Sequence, residues 1–309
     1  MTAKSSHHSS LVVHSYYDQA RVVLLLALTL LLTGCVRSNN PQVKGEENIA
    51  DQPSAVFHRS YYLDQEFFDQ SYQGIPAEAI KEKVYGGIVP HHLLASHLMA
   101  EFYQGLEEFN QPEVVVLIGP NHREVGDFDI LSSRAFWKTP YGDLAPASEI
   151  INQLAVKGVV RIDERVFVEE HSISAEVAFI KKSFPESKLV PLVFRTKTTE
   201  KELGSLMELL LQILPERSLI IASVDFAHEV TSEEANELDQ RSIEALQSID
   251  PRRITEITVD SKPTISALFY YLKAKEATDS VLLQNSNAAK VLNDPSIPEV
   301  TSYITMYFR

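Results

Sequence analysis

The chain is 309 residues long, with a formal net charge of −14 and a single cysteine, Cys35. An acidic balance with dispersed Lys and Arg argues against a nucleic-acid partner, because neutralising phosphates needs clustered positive charge. One cysteine excludes an intrachain disulfide, and a chain of this length can bury one large α/β core or two small ones.

Arg21 precedes an apolar run over residues 22–32, which leads into Leu32-Thr33-Gly34-Cys35. A bilayer-spanning helix needs about 20 apolar residues. The apolar part of a secretory signal needs roughly 7 to 15, followed by small residues at the cut. On length the run reads as a signal, and its end resembles the lipobox of bacterial lipoproteins. Residues 1–34 are therefore expected to be a removed signal peptide, Cys35 the lipidated first residue of the mature chain, and residues 35–55 a polar tether. The competing reading is a buried core helix from Arg21, for which the polar residues 37–51 offer no partner. The polar lead over residues 1–20 carries Asp18 and is long for such a signal, which leaves a later start as an alternative. Either way the expected product is an exported lipoprotein on the cell surface or periplasmic face. Its membrane partner is held through two or more acyl chains. Acylation of Cys35 leaves no thiol, so chemistry falls to His, Asp, Glu, Ser and Tyr. Loss of residues 1–34 removes Lys4, Arg21 and Asp18, taking the net charge to about −15.

Beyond the tether, residues 84–89 read as a strand. Residues 94–109 read as a helix, with Leu94, Leu98, Phe102, Leu106 and Phe109 at helical spacing. Residues 113–118 form a continuous apolar run of the kind buried on both faces of a sheet, and 128–131 a third strand. Helices are expected at 147–156 and 173–184, a strand at 189–194, and a long amphipathic helix at 200–214 ended by Pro215. A buried strand at 219–223 precedes helices at 232–248 and 264–274, and strands at 280–283 and 302–308 close the chain. This alternation predicts an α/β fold, a mostly parallel or mixed central sheet with helices on both faces.

In such sheets ligands bind just beyond the carboxyl ends of the strands. The strand ending at Val89 runs into Pro90-His91-His92, the one ending at Ile118 into Gly119-Pro120-Asn121-His122, and the one ending at Ser223 into Asp225-Phe226-Ala227-His228. Seven histidines follow residue 34, and four lie at these three ends. Neutral imidazole is the commonest metal ligand and titrates near neutrality, so converging histidines with an aspartate suggest a metal or acid–base site. The bland alternative is that each histidine caps a strand or bonds a carbonyl. A second cluster, Glu169 to Glu176 around His171, reads either as site residues or as a capped helix start with solvated acids. Trp137 to Gly142 reads as a pocket wall or a packed loop. The chain has no G-x-S-x-G, no P-loop, no G-x-G-x-x-G and no H-E-x-x-H, so serine hydrolase, nucleotide-binding and zincin readings lack support.

Five segments together resemble the Memo family, also called AmmeMemoRadiSam system protein B. They are Gly87-Ile88-Val89-Pro90-His91, Gly119-Pro120-Asn121-His122, Trp137 to Leu144, Glu170-His171-Ser172-Ile173 and Ser223 to His228, and they come in the family's order and spacing. The likeness covers residues 56–309, and the Tyr61-Tyr62 region resembles the family's aromatic N-terminal motif. The resemblance implies a fold similar to class III extradiol dioxygenases, whose iron is held by two histidines and a carboxylate, and an iron or copper site. Carried over, His91 and His122 match the first two pocket histidines, and His228 with Asp225 matches the later pair. The implied metal ligands are then His91, His122 and His228, with His228, Asp225 and His171 as catalytic candidates. Two departures stand out. Where some members carry a cysteine ligand in a Thr-Ile-Cys segment this chain has Thr264-Ile265-Ser266, and where some carry a second histidine after His-Ser-Ile the counterpart is Glu176. Serine is a poor ligand beside thiolate, so Ser266 and Glu176 imply either an oxygen-rich cofactor site or weak metal binding. Two functions remain open: a metal-dependent redox enzyme, or a non-enzymatic lipoprotein holding a metal, peptide or small ligand.

Overall fold

The computed structural model describes residues 55–76 and 79–309, so the expected signal, Cys35 and nearly all of the tether lie outside the described residues. In chain order the elements are β1 (Phe57–Arg59), α1 (Gln65–Ser71), β2 (Gly86–Val89), α2 (Ser96–Leu106), β3 (Val114–Pro120), β4 (Ile130–Ser132), β5 (Phe136–Thr139), β6 (Gly142–Leu144), α3 (Ser148–Val156), β7 (Arg161–Ile162), α4 (His171–Ser174) and α5 (Val177–Ser183). They continue with β8 (Lys188–Phe194), α6 (Glu200–Ile213), β9 (Ser218–Ser223), α7 (Ser232–Gln247), α8 (Lys262–Ala274), β10 (Ser280–Asn287), α9 (Ala288–Val291) and β11 (Ser302–Phe308).

The main sheet has eight strands in the order β10-β11-β2-β9-β3-β8-β4-β7. Its centre, β2-β9-β3-β8, is parallel, while β10, β11 and β4 pair antiparallel with their inner neighbours, so the sheet is mixed. β3 is buried at every position. Its side chains alternate between two cores, as a two-residue period requires. Val114, Val116 and Ile118 join a core with Leu206 of α6 and Leu268 of α8, whereas Val115 and Leu117 join one with Phe102 of α2 and Phe179 of α5. Helices therefore cover both faces. A smaller sheet, β1-β5-β6, turns Trp137 into the second core.

Local chemistry sets the helix ends. Thr199 and Glu202 form a reciprocal capping box at α6, and Ser261 caps α8 through Thr264 N–H with Pro263 in the first turn. The expected helix at 173–184 is instead two, α4 and α5, because the Glu176 N–H bonds the Ile173 carbonyl in a tighter turn. Likewise the helix expected from Leu94 starts as a 3₁₀ turn, Leu93–Ala95, before α2. β10 runs four residues past the expected end, carried by its pairing with β11 across a bulge at Leu282/Gln284.

α4 rests on the end of β3. A Cβ at Gly119 would stand 2.7 Å from Ser172 Oγ and 2.8 Å from Ser172 Cβ, and that Oγ donates to the Pro120 carbonyl at 3.0 Å. Gly119 is thus what lets the helix carrying His171 approach the strand. Gly119→Ala should cost roughly 1–3 kcal/mol by overpacking and lower Tm by several degrees in scanning calorimetry. An unchanged Tm would contradict this close approach.

Candidate metal centre

The parallel centre of the sheet sends β2, β9 and β3 toward one edge, and the residues just past them meet there. His91 follows β2, and its backbone N–H donates to Asp225 Oδ1 at 3.2 Å. Asp225, past β9, donates its own N–H to Asp260 Oδ2 at 3.1 Å, while the Asp260 N–H donates to the Asp225 carbonyl at 3.1 Å. His122 follows β3, and its N–H donates to Glu170 Oε2 at 2.9 Å. Glu170 is also the N-cap of α4, accepting from Ser172 N–H at 2.8 Å, which places His171 beside His122.

Three imidazoles converge. His91, His122 and His171 offer one nitrogen each, all within 4.8 Å of one another. The His122 and His171 rings stack at 4.1 Å, and His91 stands edge-on to both at 4.8 and 5.0 Å. His91 is buried, whereas His122 and His171 reach solvent.

Hydrogen bonds place a proton on Nδ1 of two of the rings. His122 Nδ1–H donates to Glu170 Oε1 at 2.8 Å, leaving Nε2 free. Ser223 spends its one hydroxyl hydrogen on the Ser172 carbonyl at 2.6 Å. Toward His91 Nδ1, 3.3 Å away, it therefore acts as acceptor, and His91 Nε2 is left for other work. That nitrogen lies 3.3 Å from Asp260 Oδ2 and 3.6 Å from Asp225 Oδ2, and His122 Nε2 lies 3.8 Å from the same Asp260 oxygen.

The electrostatics favour a cation. Burial works against a charged His91, but Asp225 and Asp260 outweigh it and push its pKa up to about 10. His122 is also raised, burial again opposing and Asp260 and Glu170 prevailing. His171 drops to about 4, through burial and then the positive charge of its two neighbours. Burial would raise Asp260, yet His122 and His91 hold it well below the usual carboxylate range, whereas for Asp225 burial wins and its pKa rises. Asp260 Oδ1 is buried with no hydrogen-bond partner. Such an orphan, beside a set of imidazole nitrogens, fits a bound metal ion.

The sequence-derived assignments divide here. His91, His122, His171 and Asp225 come together. His228 is exposed and stands outside the trio. Phe226 and Ala227 are zipped to Ser302 by three hydrogen bonds, which carries the next residue outward. The third converging imidazole is therefore His171. Ser266 is turned away, its hydroxyl donating to Glu200 Oε1 at 3.0 Å between α8 and α6. The oxygen that this part of the chain brings to the trio belongs to Asp260, six residues earlier. Glu176 is fully buried, one oxygen accepting from Tyr103 Oη at 2.7 Å and the other without a partner. Trp137 is packed between His58 and Phe167 rather than lining a pocket. Asp260 and Tyr103 were not singled out from sequence. The one available signal for Asp260 was its place just before the Ser261 cap, at the mouth of a helix.

Residues 60–307 match the family described as Memo-like protein. The chain belongs to that family. It is 28% identical over 236 residues to a MEMO1 family protein of Methanopyrus kandleri, covering 72% of this chain and 83% of that one. It is 25% identical over 228 residues to a MEMO1 family protein of Pyrobaculum arsenaticum, covering 72% and 80%. A crystal structure of an uncharacterized protein from Escherichia coli K12 is a more distant likeness, with a TM-score of 0.43 at 12% identity over 72% of this chain and 99% of that one.

In this Memo-like chain Glu176 sits in the field of His91. Burial drives its pKa to about 8 despite the Tyr103 hydrogen bond. The folded state then binds a proton that the unfolded chain releases above its ordinary carboxyl pKa. Stability should fall as pH rises through the interval up to about 8, by at most about 1.4 kcal/mol per unit. Glu176→Gln should remove this slope, so that urea unfolding shows the variant gaining on wild type between pH 5 and 8. Parallel pH profiles for the two proteins would contradict a buried, protonated Glu176.

Proposed function

We propose that this chain is an exported, lipid-anchored Memo-like metalloprotein that holds iron or copper through His91, His122 and His171 and oxidises a small molecule or peptide. One observation carries the reading. Three imidazole nitrogens within 4.8 Å of one another stand beside Asp260, a buried carboxylate with an unpartnered oxygen. Imidazole suits iron and copper, and the carboxylate adds a hard oxygen and a negative charge. When bound, such an ion supplies redox equivalents and Lewis-acid polarisation of a substrate oxygen.

The protein's own groups orient the site and handle protons. Glu170 and Ser223 orient His122 and His91 through Nδ1, the outer hydrogen bonding that metal-binding imidazoles depend on, and a metal would take the place of the Nε2 proton that His91 holds toward Asp260. Asp225 lies in the field of His228, which is open to solvent. We assign to Asp225 and the exposed His228 the movement of protons between the site and water. The anchor is supported by the apolar run over 22–32 and Leu32-Thr33-Gly34-Cys35. Among the described residues no helix is long and apolar enough to cross a membrane.

Calorimetric titration should show His91→Ala and His122→Ala weakening metal binding at least 10 to 100-fold, about 1.4 to 2.7 kcal/mol, and Glu170→Gln falling in the same range. Equal affinities across these proteins would remove the metal site. Elemental analysis of protein from its own host, followed by oxygen uptake that needs both metal and substrate, tests the redox step. Metal held without turnover would make this a holding site instead. For the anchor, mass spectrometry should find acylated Cys35 at the mature N-terminus, and Cys35→Ser should abolish processing. An unmodified mature terminus on the wild type would rule the anchor out.

A further inference from the structure

Eleven large apolar side chains are exposed among the described residues, and five of them fall within one stretch of eight: Val56, Phe57, Tyr61, Tyr62 and Leu63. Scattered exposed apolar residues are ordinary, but a cluster marks a surface meant to be covered. This stretch begins at residue 56, one residue after the described chain starts.

The small sheet gives the start of this stretch a defined face. β1 turns His58 inward and Phe57 and Arg59 outward. In register beside it, β5 turns Trp137 inward and Phe136 and Lys138 outward. Phe57 and Phe136 lie opposite each other with ring centroids 5.6 Å apart, and Lys138 Nζ stands 4.7 Å from the Phe57 ring. Residues 53–63 contain no Asp or Glu, nor do residues 134–142, in a chain whose net charge is −14. Asp143, opposite Lys138, is the one acid on the third strand. The segment is held firmly, since Ser60 N–H donates to the Lys138 carbonyl and Tyr61 N–H to the Ser174 carbonyl, both at 2.8 Å.

We infer that this face docks on an anionic lipid bilayer, Phe57 and Phe136 entering the interface while Arg59 and Lys138 meet headgroup phosphates, with the exposed tyrosines just past the strand flanking it. Aromatic rings and snorkelling cations are the side chains that favour the boundary between headgroup and acyl chain. The inference rests on the lipid-anchor reading, because that anchor keeps a bilayer within reach. A random coil as long as residues 35–55 would span roughly 25 Å root-mean-square. At that span even weak docking becomes an intramolecular event at high effective concentration. Ser174 closes the four-residue helix that opens with His171. Docking beside this helix would favour substrates delivered from the membrane surface.

The test uses the full-length lipidated protein, labelled at Ala55→Cys with an environment-sensitive fluorophore and reconstituted in phosphatidylcholine vesicles with or without phosphatidylglycerol. Flotation reports the anchor, and emission reports the face. The expected result is a blue shift that strengthens with phosphatidylglycerol and is lost in Phe57→Ser and in Arg59→Glu/Lys138→Glu, all of which still float. Flotation with no blue shift in either lipid would overturn the docking and leave the anchor standing. Failure of the wild type to float would overturn the anchor and the docking with it. The same shift in detergent on raising protein concentration would assign the face to a second copy of the chain and overturn the bilayer as its occupant.

Discussion

A single carboxylate oxygen organises the centre of this protein. Asp260 Oδ2 lies 3.3 Å from His91 Nε2 and 3.8 Å from His122 Nε2, and accepts the Asp225 N–H at 3.1 Å. A buried carboxylate is costly unless it meets positive charge and hydrogen bonds. Here the requirement is met by a backbone amide and two imidazoles, one of which is held charged in return. The second Asp260 oxygen has no such compensation. The cluster therefore keeps one buried carboxylate oxygen unpartnered beside three imidazoles, an arrangement that a bound cation would complete.

The sheet order is what brings these groups together. β2, β9 and β3 are consecutive parallel neighbours, and neighbouring strands lie about 4.8 Å apart. Residues one or two positions past their ends cannot avoid one another. The reciprocal pair of hydrogen bonds between Asp225 and Asp260 then ties the loop before α8 to the end of β9. On the other side, the absence of a side chain at Gly119 allows α4 to close over β3. The trio thus depends on two close backbone approaches as much as on its ligands.

This division explains what could be read from sequence. The buried strands announced themselves as unbroken apolar runs, and the strand-end rule located His91, His122 and Asp225. The rule had no purchase on His171, which enters from a helix start, and His228, exposed just past the Phe226-Ala227 pairing with Ser302, stands outside the trio. Ser266 was chosen by motif register, but a helical side chain six positions on from Asp260 faces a different neighbour, here Glu200. The small sheet went unread because β1 and β6 have three residues each, too few to show alternation.

Two buried acids near His91 show how the same functional group is given opposite character. Asp260 faces imidazoles and a backbone N–H, so its anion is stabilised and its pKa falls. Glu176 is equally buried, but its one hydrogen-bond partner is the neutral Tyr103 hydroxyl, so burial prevails and its proton is retained to about pH 8. Environments that push two carboxyl pKa values apart are how a site keeps a fixed anion and a proton donor side by side at neutral pH. Asp260 acts on His91 through a direct contact, with Asp225 beside it, whereas Glu176 carries no charge to act with while it keeps its proton. The charge state of that one imidazole is accordingly set by which of its neighbours can give up a proton. The fold decides this by placing a cationic ring against one acid and a phenol against the other.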